Sequence, residues 1–232
     1  MYRNFNTPLI NACCNPWGVT SHAEEILLLG ANINAQGRAE NTALCMAAIC
    51  GNSPLCKLLI DAGADVSICN HDGDNVLFLA AAKGLTDICM LLIETGKIDK
   101  NCKNTKFMSR EHGATALMCA ANGPRTGANC SSQPKTCKAL LGAGIDVNLT
   151  DELGQTALLY AVGDDRPNSE ETAKILMEAG ANLNIETGFG TNALWRAGYS
   201  GLKDICKLII EQGGDKPITG EYSENHCNSA VK

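Results

Sequence analysis

The chain has 232 residues, of which 45% are hydrophobic and only 4% aromatic, and it contains 23 glycines. This composition suffices for a folded core and favours a fold of small repeated layers over one thick core. The net charge of −6 argues against a general nucleic-acid surface, because phosphate binding needs concentrated Lys and Arg.

A unit of about 33 residues recurs along the sequence, and the stretch from Asn41 to Gly73 is its clearest copy. Each copy starts at a Thr or Asn, with a Leu two residues later and an Ala five residues later. The starting residues are Thr7, Thr42, Asn75, Thr115, Thr156 and Asn192. The Leu predicts a core anchor, and the Ala lets two helices approach closely. A fixed period of this length indicates a protein built of stacked repeats.

The second half of each copy is an apolar helical stretch that ends in a glycine. These glycines stand at positions 30, 63, 96, 144, 180 and 213. A glycine at this point predicts a helix end in the left-handed conformation. The chain takes 12 residues from the glycine to the next starting residue in four of five cases, which indicates a hairpin-like connector of fixed geometry.

The order helix, turn, helix and hairpin resembles the ankyrin repeat, whose signature begins Thr-Pro-Leu-His. Thr7, Pro8 and Leu9 match its first three positions. The signature His is replaced in every copy, by Ile10, Cys45, Phe78, Met118, Leu159 and Trp195. We therefore expect apolar contacts instead of the hydrogen bonds that this His makes between repeats. The resemblance implies an all-α fold, an ankyrin-like helix-turn-helix solenoid with β-hairpin-like connectors.

The same resemblance predicts a repeat domain at residues 1–216 and a flexible C-terminal tail at residues 217–232. The six repeats span approximately residues 6–37, 41–73, 74–113, 114–154, 155–190 and 191–216. The stretch from Ile205 to Ile210 predicts an apolar last helix, although terminal repeats normally need a polar outer face. We expect either that Ile218 and Tyr222 cover it or that the chain is part of a longer protein.

Departures from the period mark loops that can vary with function. The connector after Gly96 is seven residues longer than the others, and its insert at residues 97–113 is locally basic in an acidic chain. Further insertions at 15–21, 123–134 and 163–169 fall between the two helices of a repeat. These inserts are expected on the side of the stack opposite the connectors.

The 13 Cys are an odd number, and the N-terminus lacks an apolar core of signal-peptide length, so we expect free thiols in the cytoplasm. Equivalent positions of the second helices carry Cys56, Cys89, Cys137 and Cys206, which the pattern predicts to be small core side chains. Stacked helices are roughly 8–10 Å apart, beyond the roughly 7 Å that a disulfide spans. The residues expected to be exposed and oxidisable are Cys13, Cys14, Cys69, Cys102, Cys130 and Cys227.

No motif for catalysis or metal binding appears in the sequence. The four His are scattered, and C-x-x-C, G-x-S-x-G, H-E-x-x-H and a phosphate-binding loop are all missing. We therefore predict a non-enzymatic chain with no catalytic residue, no cofactor and no metal.

The ankyrin resemblance implies that a partner contacts the concave face of the first helices and the connector tips. Leu153, Phe189, Ile49 and Tyr199 are apolar or aromatic at such positions, where binding energy tends to concentrate. The predicted partner-binding residues are Ile49, His71, Asp72, Lys83, Lys106, Phe107, Arg110, Asn122, Glu152, Leu153, Phe189, Trp195, Arg196 and Tyr199. The alternative is a shallow solvated groove with stray apolar residues.

The sequence thus predicts a cytoplasmic, monomeric scaffold that binds another protein and neither nucleic acid nor membrane. One alternative is a targeting or substrate-recruitment segment of a larger enzyme or secreted effector. A third hypothesis, an oxidant sensor, depends on the Cys count alone.

Overall fold

The computed structural model describes residues 6–14, 20–104, 113–123, 132–163 and 168–214. In these ranges the chain forms twelve α-helices and no β-strand. The helices are α1 (Pro8–Cys13), α2 (Thr20–Leu28), α3 (Ala43–Ile49), α4 (Ser53–Asp61), α5 (Val76–Ala82), α6 (Thr86–Glu94), α7 (Ala116–Asn122), α8 (Gln133–Gly142), α9 (Ala157–Ala161), α10 (Ser169–Glu178), α11 (Ala193–Tyr199) and α12 (Lys203–Glu211). Odd-numbered helices pack side by side in one layer and even-numbered helices in a second, which confirms the predicted helical solenoid.

Each odd-numbered helix begins at the Thr or Asn that starts its repeat. The side-chain oxygen of this residue accepts a backbone N–H from the first helical turn in all six cases. Thr42, for example, accepts from the N–H of Cys45 at 3.2 Å, and Asn192 accepts from that of Trp195 at 2.9 Å. Such caps satisfy N–H groups that the helix itself leaves without an acceptor. The recurring Thr or Asn is therefore explained by helix capping.

The core follows the predicted pattern through the interior repeats. The Leu of each repeat is buried except Leu194 of the last, which is half-buried, and the Ala is buried except Ala12 of the first. The two exceptions lie in end repeats, which have a neighbour on one side only. Apolar side chains at the signature His position are buried in five repeats, as expected, whereas Trp195 is half-buried.

Even-numbered helices end as predicted, because all six terminal glycines have φ between +64° and +86°. Side chains with a Cβ rarely adopt this conformation, whereas glycine does so readily. Helix α7 ends differently, at Gly123 with φ +47°, where an added Cβ would overlap the side chain of Gln133. By contrast, a Cβ at Gly142 in α8 would meet no atom within 4 Å.

The connectors are hairpin-like, as expected, although no β-ladder forms in the described residues. Backbone hydrogen bonds close the turns: the Asn70 N–H donates to the Asp74 carbonyl and the Gly73 N–H to the Asn70 carbonyl, both at 3.0 Å. Side-chain amides then link one connector to the next: the Asn34 carbonyl oxygen accepts from the Asp65 N–H at 2.8 Å, and that of Asn148 from the Asn182 N–H at 2.7 Å. Each of these bonds gives a connector backbone N–H an acceptor from the preceding repeat.

The four equivalent Cys of the second helices lie in the core, as predicted. Burial raises the pKa of Cys56, Cys89 and Cys137 to about 12, so these thiols stay protonated at neutral pH. All eleven Cys in the described residues are free thiols.

The predicted exposure of the other Cys is only partly correct. The sequence predicts Cys13 at the surface, but this last residue of α1 is fully buried, and burial raises its pKa to about 12. Cys69 is exposed, whereas Cys14 and Cys102 are half-buried. Cys130 and Cys227 lie outside the described residues.

The last helix does not present the apolar outer face that its sequence suggested. Ile205, Cys206 and Ile209 of α12 turn inward and are buried. Lys203, Asp204, Lys207 and Glu211 are exposed on the other side together with Ile210, which is 39% exposed, so the outer face of this helix is mostly polar with one apolar side chain. Ile218, Tyr222 and the rest of the predicted tail lie outside the described residues.

Candidate functional site

A groove lies along α9 and α11 in the first-helix layer, beside the end of α7. Its volume is about 350 Å³, and we call it the α9–α11 groove. The residues that line it are Asn122, Gln155, Tyr160, Gly163, Trp195, Arg196 and Tyr199. Four of these, Asn122, Trp195, Arg196 and Tyr199, were predicted from the sequence, so the fold brings them to one place.

An aromatic pair forms one wall of the groove. Trp195 and Tyr199 are four residues apart on α11, which places both side chains on one face of the helix. Their rings are stacked, with centroids 5.5 Å apart and planes 4° from parallel. Tyr199 is 73% exposed, so the pair offers a flat apolar surface to solvent. Aromatic side chains of this kind dominate binding energy at protein interfaces.

Arg196 lies between these aromatic residues in sequence and is held by two acceptors. One guanidinium nitrogen donates to the backbone carbonyl of Leu159 at 3.0 Å, and another donates to the side-chain oxygen of Gln155 at 2.7 Å. Both acceptors belong to the preceding repeat. The guanidinium is thus fixed across the junction between two repeats, which lowers the entropic cost of using it in binding.

A buried carboxylate supports this arrangement from behind. The Asp151 Oδ2 atom accepts from the Gln155 amide at 3.1 Å and from the Tyr160 hydroxyl at 2.9 Å. Gln155 therefore links the two charged side chains: its amide nitrogen donates to Asp151, and its amide oxygen accepts from Arg196. Hydrogen bonds to a charged group are stronger than neutral ones, so this network rigidifies the floor of the groove.

The same carboxylate also shapes the neighbouring connector tip. Its other oxygen accepts from the backbone N–H groups of Leu153 at 2.9 Å and Gln155 at 2.7 Å. The Leu153 carbonyl in turn accepts from the N–H of Gly188 on the next tip at 2.8 Å. Leu153 is 41% and Phe189 is 60% exposed, so adjacent tips present two large apolar side chains.

The remaining predicted residues are spread over the stack. His71 and Asp72 are exposed on an earlier tip, where the His71 N–H donates to the Ala39 carbonyl at 2.8 Å. Glu152 is exposed beside Leu153. Lys83 is half-buried after α5, and Ile49 is also half-buried, so Ile49 is less exposed than Leu153, Phe189 and Tyr199. The predicted Lys106, Phe107 and Arg110 lie outside the described residues.

Sequence reasoning missed Asp151, Gln155 and Tyr160. A signal existed for Tyr160, since a polar aromatic side chain interrupts a helix made otherwise of Ala and Leu. Asp151 and Gln155 look like ordinary connector residues, and only their distance to Arg196 shows their part in the groove.

The described ranges offer little support for other kinds of site. They contain no group of three or more His, Cys, Asp or Glu side chains that could hold a metal ion. None of the helices within them has the length and apolar character needed to cross a membrane.

Comparisons with known proteins agree with this architecture. The family model for ankyrin repeats matches residues 44–129 and 126–219. The putative ankyrin repeat protein YahD of Escherichia coli is 29% identical over 190 residues, which cover 81% of this chain and 87% of YahD. The putative ankyrin repeat protein L86 of Acanthamoeba polyphaga mimivirus is 33% identical over 135 residues, covering 50% of this chain but only 23% of L86.

A solved structure shows the same fold. It is described as the Bd0816 predatory endopeptidase from Bdellovibrio bacteriovorus in complex with immunity protein Bd3460. The match has a TM-score of 0.70 at 22% identity and covers 90% of this chain and 99% of the matched chain. Together with the family match, the stacked helix pairs and their glycine ends place this chain in the ankyrin repeat family, whose members are generally protein–protein interaction modules.

Proposed function

We propose that this chain is a non-enzymatic module that binds a partner protein through the α9–α11 groove and the two neighbouring connector tips. The observation that carries this proposal is the Trp195–Tyr199 stack, in which Tyr199 is exposed, beside a guanidinium fixed by the preceding repeat. Aromatic and Arg side chains are the residues in which interface energy concentrates. The groove is lined by residues of the first helices and adjoins the connector tips, the two regions through which the family resemblance implies partner binding.

The geometry of the groove favours binding over chemistry. Asp151 accepts four hydrogen bonds and is buried, so its carboxylate is occupied with holding the turn and the groove floor. The residues that line the groove include no Ser, Cys or His. The lining therefore lacks the nucleophile and base pairs on which Ser–His and Cys–His catalysis depend.

The shape of the surface also suggests how a partner docks. The groove of about 350 Å³ can receive one or two side chains, with the aromatic stack as a wall. Leu153 and Phe189 extend the apolar contact along the tips. Because the supporting network is already formed in the free chain, little ordering is needed on binding.

The test begins with a partner captured from native cells on the immobilised chain and identified by mass. Its affinity is then measured for Tyr199→Ala, Phe189→Ala and Leu153→Ala by surface plasmon resonance. We expect Tyr199→Ala and Phe189→Ala each to weaken binding by about tenfold or more, since each truncates an exposed anchor.

A matched control is Ile210→Ala on α12, because Ile210 is 39% exposed and Leu153 41%, but Ile210 lies in the other helix layer. This variant should bind as the wild type does. Full affinity in all three groove and tip variants, with their circular dichroism unchanged, would refute the proposed surface.

A further inference from the structure

A second apolar surface lies at the opposite end of the stack, in the second-helix layer. Leu28 and Leu29 at the end of α2 are each 87% exposed, more than any other large hydrophobic side chain in the described residues. Leu28 borders a groove of about 590 Å³ between α2, α4 and the first connector, which we call the α2–α4 groove. Its apolar lining consists of Leu27, Leu28, Ala31, Ile33, Leu58 and Ala62.

This groove is separate from the one proposed above. It is formed by the first two repeats and by even-numbered helices, whereas the α9–α11 groove is formed largely by the last repeats and by odd-numbered helices. Leu27, Ile33 and Leu58 pack partly against the core, but Leu28 and Leu29 project beyond it. Adjacent exposed leucines beside an open apolar groove are typical of interaction sites.

The charges around the α2–α4 groove indicate the chemistry of its occupant. Glu24 lines the groove, and Glu25 and Asp61 are exposed on the same two helices. The only Lys or Arg in these helices is Lys57, which turns away toward α6 and pairs with Asp87 at 2.9 Å. We call Glu24, which lines the groove, together with Glu25 and Asp61, which are exposed on the same two helices, the acidic rim.

We propose that the α2–α4 groove docks a basic amphipathic segment of a partner protein. Apolar side chains on one face of the segment fill the groove, and its Lys or Arg side chains meet Glu24, Glu25 and Asp61. This is the helix-in-groove mode of recognition, in which apolar contacts supply affinity and complementary charge supplies specificity. A symmetric pair of copies of this chain is disfavoured, because it would bring the acidic rims together.

The test uses two fluorescein-labelled synthetic peptides measured by fluorescence anisotropy. Both carry Leu at the helical positions i, i+3, i+4 and i+7, and their remaining positions are Lys and Ala in one peptide and Glu and Ala in the other. We expect saturable binding of the Lys peptide and about tenfold or weaker binding of the Glu peptide. The preference should shrink as the salt concentration rises, because the rim charges are exposed.

Two variants assign the binding to the groove. The Leu28→Ser/Leu29→Ser double variant should weaken binding of the Lys peptide by about tenfold or more, because it removes the exposed apolar contact. The Glu24→Lys/Glu25→Lys double variant should shift the preference toward the Glu peptide. A matched control, Ile210→Ser, removes an exposed apolar side chain of the same helix layer that lines neither groove, and it should leave the affinity unchanged.

Three results would overturn the proposal. The first is equal affinity for the Lys peptide in the wild type and the leucine double variant. The second is a Glu peptide that binds as tightly as the Lys peptide. The third is sedimentation velocity showing a wild-type dimer that the leucine double variant converts to a monomer, since the occupant would then be a second copy. None of these results would bear on the function proposed for the α9–α11 groove, because neither Leu28 nor Leu29 lines that groove.

Discussion

Replacing Asp151 by Asn separates the two structural roles of this buried carboxylate. One oxygen holds the connector turn through the N–H groups of Leu153 and Gln155, and the other holds the Gln155 amide and the Tyr160 hydroxyl. Asn can keep the first role, because Asn70 occupies the equivalent position of an earlier connector. Its side-chain oxygen accepts two backbone N–H groups there, both at 3.0 Å.

The second role is lost in Asp151→Asn. The new amide nitrogen faces the Gln155 amide donor, although the Tyr160 hydroxyl can rotate and accept from it instead. One hydrogen bond to a charged group is therefore lost, which corresponds to about 1.5–3 kcal/mol in the free energy of unfolding. Asp151→Ala also leaves two backbone N–H groups without acceptors, at about 1–3 kcal/mol each when buried. The Ala variant should therefore be distinctly less stable than the Asn variant.

Urea unfolding followed by circular dichroism measures both variants, with stability compared at an unchanged m value. Tyr160→Phe removes only the hydroxyl, and its combination with Asp151→Asn should cost less than the two single changes together, because they share a hydrogen bond. A change within about 0.5 kcal/mol for Asp151→Asn would show that the link to the groove contributes nothing. Equal losses in the Asn and Ala variants would refute the assignment of the turn to the other oxygen.

Three further predictions concern backbone strain, pH and thiol reactivity. Gly123→Ala should destabilise the fold by more than about 1 kcal/mol, because its φ is +47° and the site is filled. The control Gly142→Ala should be neutral or stabilising by up to about 1 kcal/mol in the same urea experiment. Burial raises the pKa of Asp74 in the folded state above its value in the unfolded chain. The contribution of this residue to the free energy of unfolding is therefore complete at a pH below the unfolded pKa, and it is lost as the pH rises through the folded pKa. Asp74→Asn should therefore increase the free energy of unfolding at pH 7, and the gain should vanish in acid; a constant gain across pH would contradict this cause. When the folded protein is treated with a thiol reagent, Cys69 should react quickly and Cys137 only on unfolding, because Cys137 is buried and its pKa is raised to about 12. Mass spectrometry of the labelled peptides measures both rates, and rapid labelling of Cys137 would contradict its burial.

The period of the sequence predicted most of the fold, because each repeat meets nearly the same neighbours. The Leu and Ala positions and the terminal glycines depend on local geometry that recurs in every copy. Expectations failed where the surroundings are not periodic. Cys13 looked like an exposed pair with Cys14, but one side of α1 faces the core.

The candidate site was predictable only in part, for a related reason. Helical spacing alone put Trp195 and Tyr199 on one face, and the sequence marked Leu153 and Phe189 as unusual tips. The contribution of Asp151, Gln155 and Tyr160 was visible only in the tertiary structure, because the Gln155–Arg196 hydrogen bond joins this local network to the next repeat.

The sequence by itself determined the repeat, the helix ends and the apolar interior, since these follow from side-chain periodicity and from the conformational freedom of glycine. The tertiary structure alone decided which surfaces are open. It showed that Arg196 is fixed by the preceding repeat, that Ile205 and Ile209 of α12 are buried whereas Ile210 is exposed, and that Leu28 and Leu29 are exposed near the acidic rim. Exposure and cross-repeat contacts depend on how neighbouring units stack, and a pattern within one unit does not contain that information.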